Sequence, residues 1–202
     1  IEAITKKEFI NVCEAVETKT PYHQLGGKTK TIRNYYREYL VDAFNMALMT
    51  GLRREEYLTL TWDDIYQVDN NDDYMITTDN LKVERATGKK YKKKYVPVHE
   101  DLKIVLDELG WGSLKGSSEY IIEPYREVGI DTMMNDCSRA FTHYYKQAYP
   151  DVKHKELKVL RKTYLSYLNK EVGDDMIHLS SHSGMKVLDI HYLDKKLVAK
   201  GI

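Results

Sequence analysis

"TGLRREEYLTLTWDDI" occupies residues 50–65, and two kinds of order meet in it. Upstream, Leu40, Ala43, Phe44, Ala47 and Leu48 recur on one helical stripe, and Gly51 is placed to stop that helix in the left-handed region. Arg53 follows the stop directly. "RREEYLTLTWDDI" then reads as a second, short helix that ends at a buried Trp62. Glu56 lies three residues after Arg53, close enough on a helix to pair with the guanidinium and hold it still.

Beyond Trp62 the period changes from helical to alternating. "YMITTDNLKVER" (74–85) and "KKYKKKYVPV" (89–98) are rich in β-formers and flank Thr87-Gly88, which predicts a hairpin or a small three-stranded antiparallel sheet. The remainder is helical. Thr5-Lys-Lys-Glu8 is a capping box, and it opens a helix over about 5–17 with Phe9, Val12, Cys13 and Val16 on its apolar side. Further helices are expected over 100–109, from an Asp131 cap through Met134, Cys137, Phe141, Tyr144 and Ala148, and over 156–169 with Leu157, Leu160, Tyr164 and Leu168 as its stripe. Two shorter ones are expected near 174–179 and 185–198. "TPYHQLGGKTKT" (20–31) reads as a loop. The fold class is therefore mostly α with a small antiparallel β-sheet, α+β, in a single domain over 1–202. The chain opens on Ile1 rather than Met, and a domain of a longer protein is the expectation.

Lys+Arg and Asp+Glu both number 31, so net charge is zero and the chain does not coat nucleic acid by bulk charge. Its cations are instead bunched, in "KTKTIR" (28–33), "KKYKKK" (89–94) and "KHKELKVLRK" (153–162). Such local patches suit contact with phosphate at defined places, although a solvated lysine run looks the same from sequence. Cys13 and Cys137 each fall on an apolar stripe, which fits buried free thiols in a reducing cytosol better than a disulfide or zinc site. No apolar run is long enough to span a membrane. No phosphate-cradling glycine loop, His-rich metal spacing or nucleophile elbow is present.

The residues with chemical promise are Arg53, the pair Lys158 and Arg161, which project from one side of their helix, and, near the C-terminus, His182 and Tyr192. Their order along the chain is Thr-Gly-Leu-Arg53, Glu56, "LTLTWDDI", a lysine-bearing hairpin ending in "YVPV", Lys158-x-x-Arg161, His182 and Tyr192. That order and spacing resemble the catalytic domain of tyrosine recombinases, the phage integrase family, over essentially the full length.

The resemblance implies that Tyr192 is the nucleophile, that Arg53 and Arg161 hold the scissile phosphate, and that His182 and Lys158 assist. A hairpin lysine, Lys82 in preference to Lys89, would protonate the leaving 5′-oxygen. Lys89, Lys90, Lys92 and Lys162 are expected on the DNA. Two positions depart from the family pattern: Lys158 replaces its histidine, as in type IB topoisomerases, and Ser181 replaces a glycine before His182. The implied reaction joins Tyr192 to a DNA 3′-phosphate and frees a 5′-hydroxyl. It conserves the phosphodiester energy and needs no nucleotide cofactor and no metal.

The implied partners are double-stranded DNA and three further copies of the chain on paired sites, in the cytoplasm, with no membrane. The resemblance also implies a separate N-terminal DNA-binding domain. Integration or excision of a mobile element is the expected biology. A type IB-like topoisomerase, a non-cleaving DNA-binding module of the same fold, and a helical protein with no nucleic-acid role are the alternatives.

Overall fold

The computed structural model describes residues 2–26, 31–68, 73–90 and 93–172. The two expected C-terminal helices, His182 and Tyr192 lie outside them. Among the described residues, the order is carried from the first helix as far as Lys158 and Arg161. The first helix, α1 (Lys6–Thr18), starts at Thr5, whose side chain accepts from the Glu8 backbone while Glu8 accepts from that of Thr5. Helix α2 (Leu40–Thr50) ends at Gly51 with φ +61°, and α3 (Arg54–Leu58) follows at once. The helix expected to run to Trp62 stops at Leu58, and a separate 3-10 turn, Trp62–Asp64, carries Trp62 into the core.

Strands β3 (Ile65–Val68), β4 (Asp73–Thr78) and β5 (Lys94–Pro97) form an antiparallel sheet in chain order, with Ile65 opposite Ile76 and Ile76 opposite Val96. Helices α5 (Glu100–Glu108), α6 (Trp111–Leu114), α7 (Ile130–Ala148) and α8 (Lys158–Val172) complete the described chain. Helix α1 packs on α7 and α2 on α8. The core between them contains Val12, Phe44 and Leu160, with Phe44 edge-on to Phe141 at 5.2 Å. Cys137 is buried and Cys13 half-buried, both as free thiols, and burial pushes each up to about 12, which leaves them inert.

Four readings of the sequence are corrected. The stretch expected as a loop over 20–31 contributes to a short hairpin of β1 (Tyr22–Gln24) and β2 (Ile32–Asn34). The strand expected through Lys82 stops at Thr78, and Leu81–Thr87 is a helix, α4, closed by Gly88 at φ +65°. Leu, Lys, Glu, Arg and Ala are good helix formers, and the Asn80 carbonyl accepts the first free amides, from Val83 at 2.9 Å and Glu84 at 3.0 Å. Asp131 is not the cap of α7: that place belongs to Gly129, with Asp131 in the first turn where it favours the dipole. At α8 Leu157 and Leu160 are buried and the partly buried Tyr164 packs against the core as expected, but the buried face also takes in Val159, Thr163 and Ser166. Thr163 and Ser166 return their hydroxyls to the Val159 and Lys162 carbonyls, so two polar residues sit inside at small cost.

The start of the chain is fastened to the far end of the described fold. Thr163 Oγ1 accepts from the Ile4 amide at 2.9 Å, and Lys155 Nζ donates to the Ala3 carbonyl and to Glu8, each at 2.8 Å. Glu8 also accepts from the Tyr145 hydroxyl at 2.7 Å. Burial would raise the Glu8 carboxyl, but Lys155, Thr5 and Tyr145 outweigh it and hold the group at about 2 instead of 4.5. A depressed carboxylate stabilises fully above its unfolded pKa and loses that contribution as pH falls. Glu8→Gln should therefore cost about 2 kcal/mol at pH 7, after allowance for solvent screening. In acid melts the variant and the parent should converge between pH 4.5 and about 2.

Candidate active site

Arg53 caps α3, and its fixation depends on one buried carboxylate. Glu56 is 1% exposed and accepts the Arg53 amide at 2.8 Å and its Nη1 at 3.1 Å. Asn80, buried at the end of the β4–α4 link, accepts from the same Nη1 at 3.2 Å. The third partner of Glu56 is Lys94 Nζ, from the first residue of β5. Burial tends to raise the Glu56 carboxyl, yet Lys94 and Arg53 together hold it below the ordinary carboxylate range. Burial, with Arg53 and Arg161 nearby, outweighs Glu56 at the ammonium and lowers Lys94 to about 8.

Arg161 arrives on the opposite wall from α8, and its Nη1 donates to the Gly51 carbonyl. Gly51 is required there for two reasons: its φ of +61°, and the Tyr164 ring, into which a Cβ would run. Gly51→Ala should cost about 2–4 kcal/mol, the sum of left-handed strain and overpacking, read by chemical denaturation. It should also displace Arg161, because Gly51 meets α8 through both its carbonyl, held by Arg161, and the Tyr164 ring.

Between these walls lies an open cleft of about 760 Å³ whose lining includes Arg53, Lys82, Lys158 and Arg161. Lys158 stands at the first residue of α8 and pairs with Glu156 at 2.8 Å, with its side chain 63% exposed. An exposed pair of this kind is worth little and exchanges readily for an incoming phosphate. Lys82 reaches the cleft because α4 is clamped to α3 by the Arg85–Glu55 pair, one turn further along the same face. Four residues from three distant parts of the sequence thus meet in one cationic cleft.

The other expected residues divide differently. Lys89 and Lys90 are exposed just beyond α4 and do not line the cleft, so of Lys82 and Lys89 only Lys82 lines it. Lys162 is half-buried on α8 beside Arg161. Lys92, Ser181, His182 and Tyr192 lie outside the described residues. Sequence reading missed Lys94 and Asn80. A signal for Lys94 existed: it alternates inward with buried Val96 while Tyr95 between them is exposed. Among the described residues no group of three or more His, Cys, Asp or Glu side chains is gathered as a metal site.

A helical bundle flanked by a three-stranded antiparallel sheet, with the elements in this order, is the tyrosine recombinase catalytic-domain fold. Solved structures of that class share it. A lambda integrase dimer bound to a COC′ core site superposes with a TM-score of 0.62 at 20% identity, over 96% of this chain and 60% of that one. XerA recombinase gives 0.61 at 16% identity, over 99% and 63%. The lambda integrase catalytic core gives 0.52 at 18%, over 89% of this chain and 94% of the core. This chain spans about half to two thirds of the length of the longer relatives. Neither a family model nor a curated protein matches the sequence. No described helix is long and apolar enough to cross a membrane.

Proposed function

We propose that this chain is the catalytic domain of a site-specific DNA recombinase that cuts and rejoins strands through a 3′-phosphotyrosyl intermediate. The observation that carries the reading is the convergence of Arg53 and Arg161 on one open cleft, with Arg53 fixed by a buried carboxylate. A pentacoordinate phosphate gathers negative charge on its non-bridging oxygens. Two planar guanidiniums present forked donors to that charge, and preorganisation spares the cost of reorienting them during reaction.

In this reading the Tyr192 oxygen attacks the phosphorus, the bond to the 5′-oxygen breaks, and the phenolic proton passes to His182. Lys82 delivers a proton to the departing 5′-oxygen from the exposed face of α4. Lys158 exchanges Glu156 for a non-bridging oxygen. Lys94 has a different part: it is 1% exposed and already donates to Glu56, so it is a positioning residue that keeps Glu56 charged under Arg53. A free 5′-hydroxyl from a partner strand reverses the step. The substrate is double-stranded DNA, the working assembly a homotetramer on paired sites, and the biology integration or excision of a mobile element.

The test is a nicked duplex drawn from the DNA flanking the protein's own coding sequence, on which cleavage releases a short strand and traps the adduct. The wild-type protein should shift covalently onto the DNA in a denaturing gel, and Tyr192→Phe should not. Absence of any adduct sinks the enzymatic reading. Lys158 at the cleft also suits a type IB-like topoisomerase, which relaxation of supercoiled plasmid without exchange between two sites would mark.

A further inference from the structure

We propose that the DNA lying in the cleft continues along α7 into a second groove beneath the β1–β2 hairpin, where the chain grips the duplex backbone a few nucleotides from the cleavage point. This rests on reading the cleft as a DNA site. The second groove has a volume of about 590 Å³ and adjoins the first, for Ser138 and Thr142 line both. A polymer leaving one cavity along α7 enters the other.

The groove has the charge and build for phosphate. Among the described residues its lining contains Arg139 and Lys146 and no carboxylate. Both cations are exposed on α7, seven residues apart, which is about 10 Å along the helix, or roughly three phosphate steps of one DNA strand. The opposite wall is held rather than loose. Tyr35 of the hairpin stem stacks on His143 at 4.5 Å, His23 meets the same ring edge-on at 6.1 Å, and the Arg33 guanidinium lies 5.9 Å over Tyr35. The Thr20 carbonyl lies 3.0 Å from His143 Nε2 and accepts from Gln147 Nε2 at 2.8 Å, so the root of the hairpin is fastened to α7. The aromatic cluster thus sets the width of a groove whose lining cations stand on α7, and no sequence-specific contact is required of it.

The experiment measures binding of a labelled duplex of about 30 base pairs and arbitrary sequence by anisotropy over a series of potassium chloride concentrations. Each phosphate contact removed lowers the slope of log affinity against log salt by about one. Arg139→Gln/Lys146→Gln should lower it by about two and weaken binding at least about tenfold near 0.1 M salt, with the thermal midpoint unchanged. Lys6→Ala/Lys7→Ala makes the same charge change outside both cavities and should leave the slope near the wild-type value. An unchanged slope in the groove variant, or an equal loss in the control, overturns the inference. Binding with the expected slopes but no covalent adduct leaves the groove standing and sinks the cleavage reading, whereas no binding at all sinks both.

Discussion

Glu56→Leu should be among the most damaging single changes in this protein, lowering folding stability by about 3–5 kcal/mol and abolishing detectable strand cleavage. The stability loss comes from what is left behind. Lys94 is 1% exposed and its ammonium, donating to Glu56, would face Arg53 and Arg161 with no counter-charge between them. Lys94 already loses its proton at about 8 with Glu56 present, so without it the lysine must stay neutral at pH 7 or the site must open. Replacing both partners, as Glu56→Leu/Lys94→Met, removes the buried charges together and should recover most of the stability, since an apolar pair of similar volume costs little. It should not recover cleavage, because Arg53 then loses the acceptor for its amide and one acceptor of its Nη1. Denaturant melts beside adduct yields on one nicked duplex separate the two effects. Full stability loss in the double variant would mean that the pair is not the cause.

The second large effect concerns rate. Arg161→Ala and Arg53→Ala should each slow adduct formation by about 10²–10³-fold at saturating DNA, the usual consequence of losing one preorganised donor to a developing oxyanion. Arg161→Lys should recover little, because an ammonium cannot both keep the Gly51 carbonyl that Nη1 holds and present a fork to the phosphate. A lysine variant as fast as the parent would show that only charge matters at that position.

The parts of the fold legible in sequence were those with local causes. The Thr5 box and the Gly51 stop are each specified within a few residues, and both stand where expected, whereas only the burial of Trp62 does, since the helix before it ends at Leu58. What escaped depends on partners distant in the chain. Leu81–Thr87 alternates acceptably as a strand, and its helical choice is tied to a buried Asn80 cap and the Arg85–Glu55 clamp. At α8 the buried Leu157 and Leu160 are legible, but Thr163 and Ser166 look like surface residues until their hydroxyls are seen folded back on the helix. The β1–β2 hairpin has strands of only three residues, too short for any period to show.

The site divides the same way. Arg53 with Glu56 follows from spacing on one helix, and Lys158 with Arg161 from spacing on another. That Arg53, Lys158 and Arg161 share a cleft follows only from packing α2 on α8. Lys94 was hidden in a run of lysines of which it alone is described as buried, and only the register of β5 singles it out.

The central claim is that one tyrosine among 17 carries a covalent link to DNA. The direct measurement is tryptic mass spectrometry of the protein trapped on a nicked duplex. The expected result is that the peptide spanning 187–195, "VLDIHYLDK", gains the mass of the retained 3′-nucleotides at Tyr192. Recovery of that peptide only in unmodified form, or a nucleotide on any other tyrosine, would contradict the account.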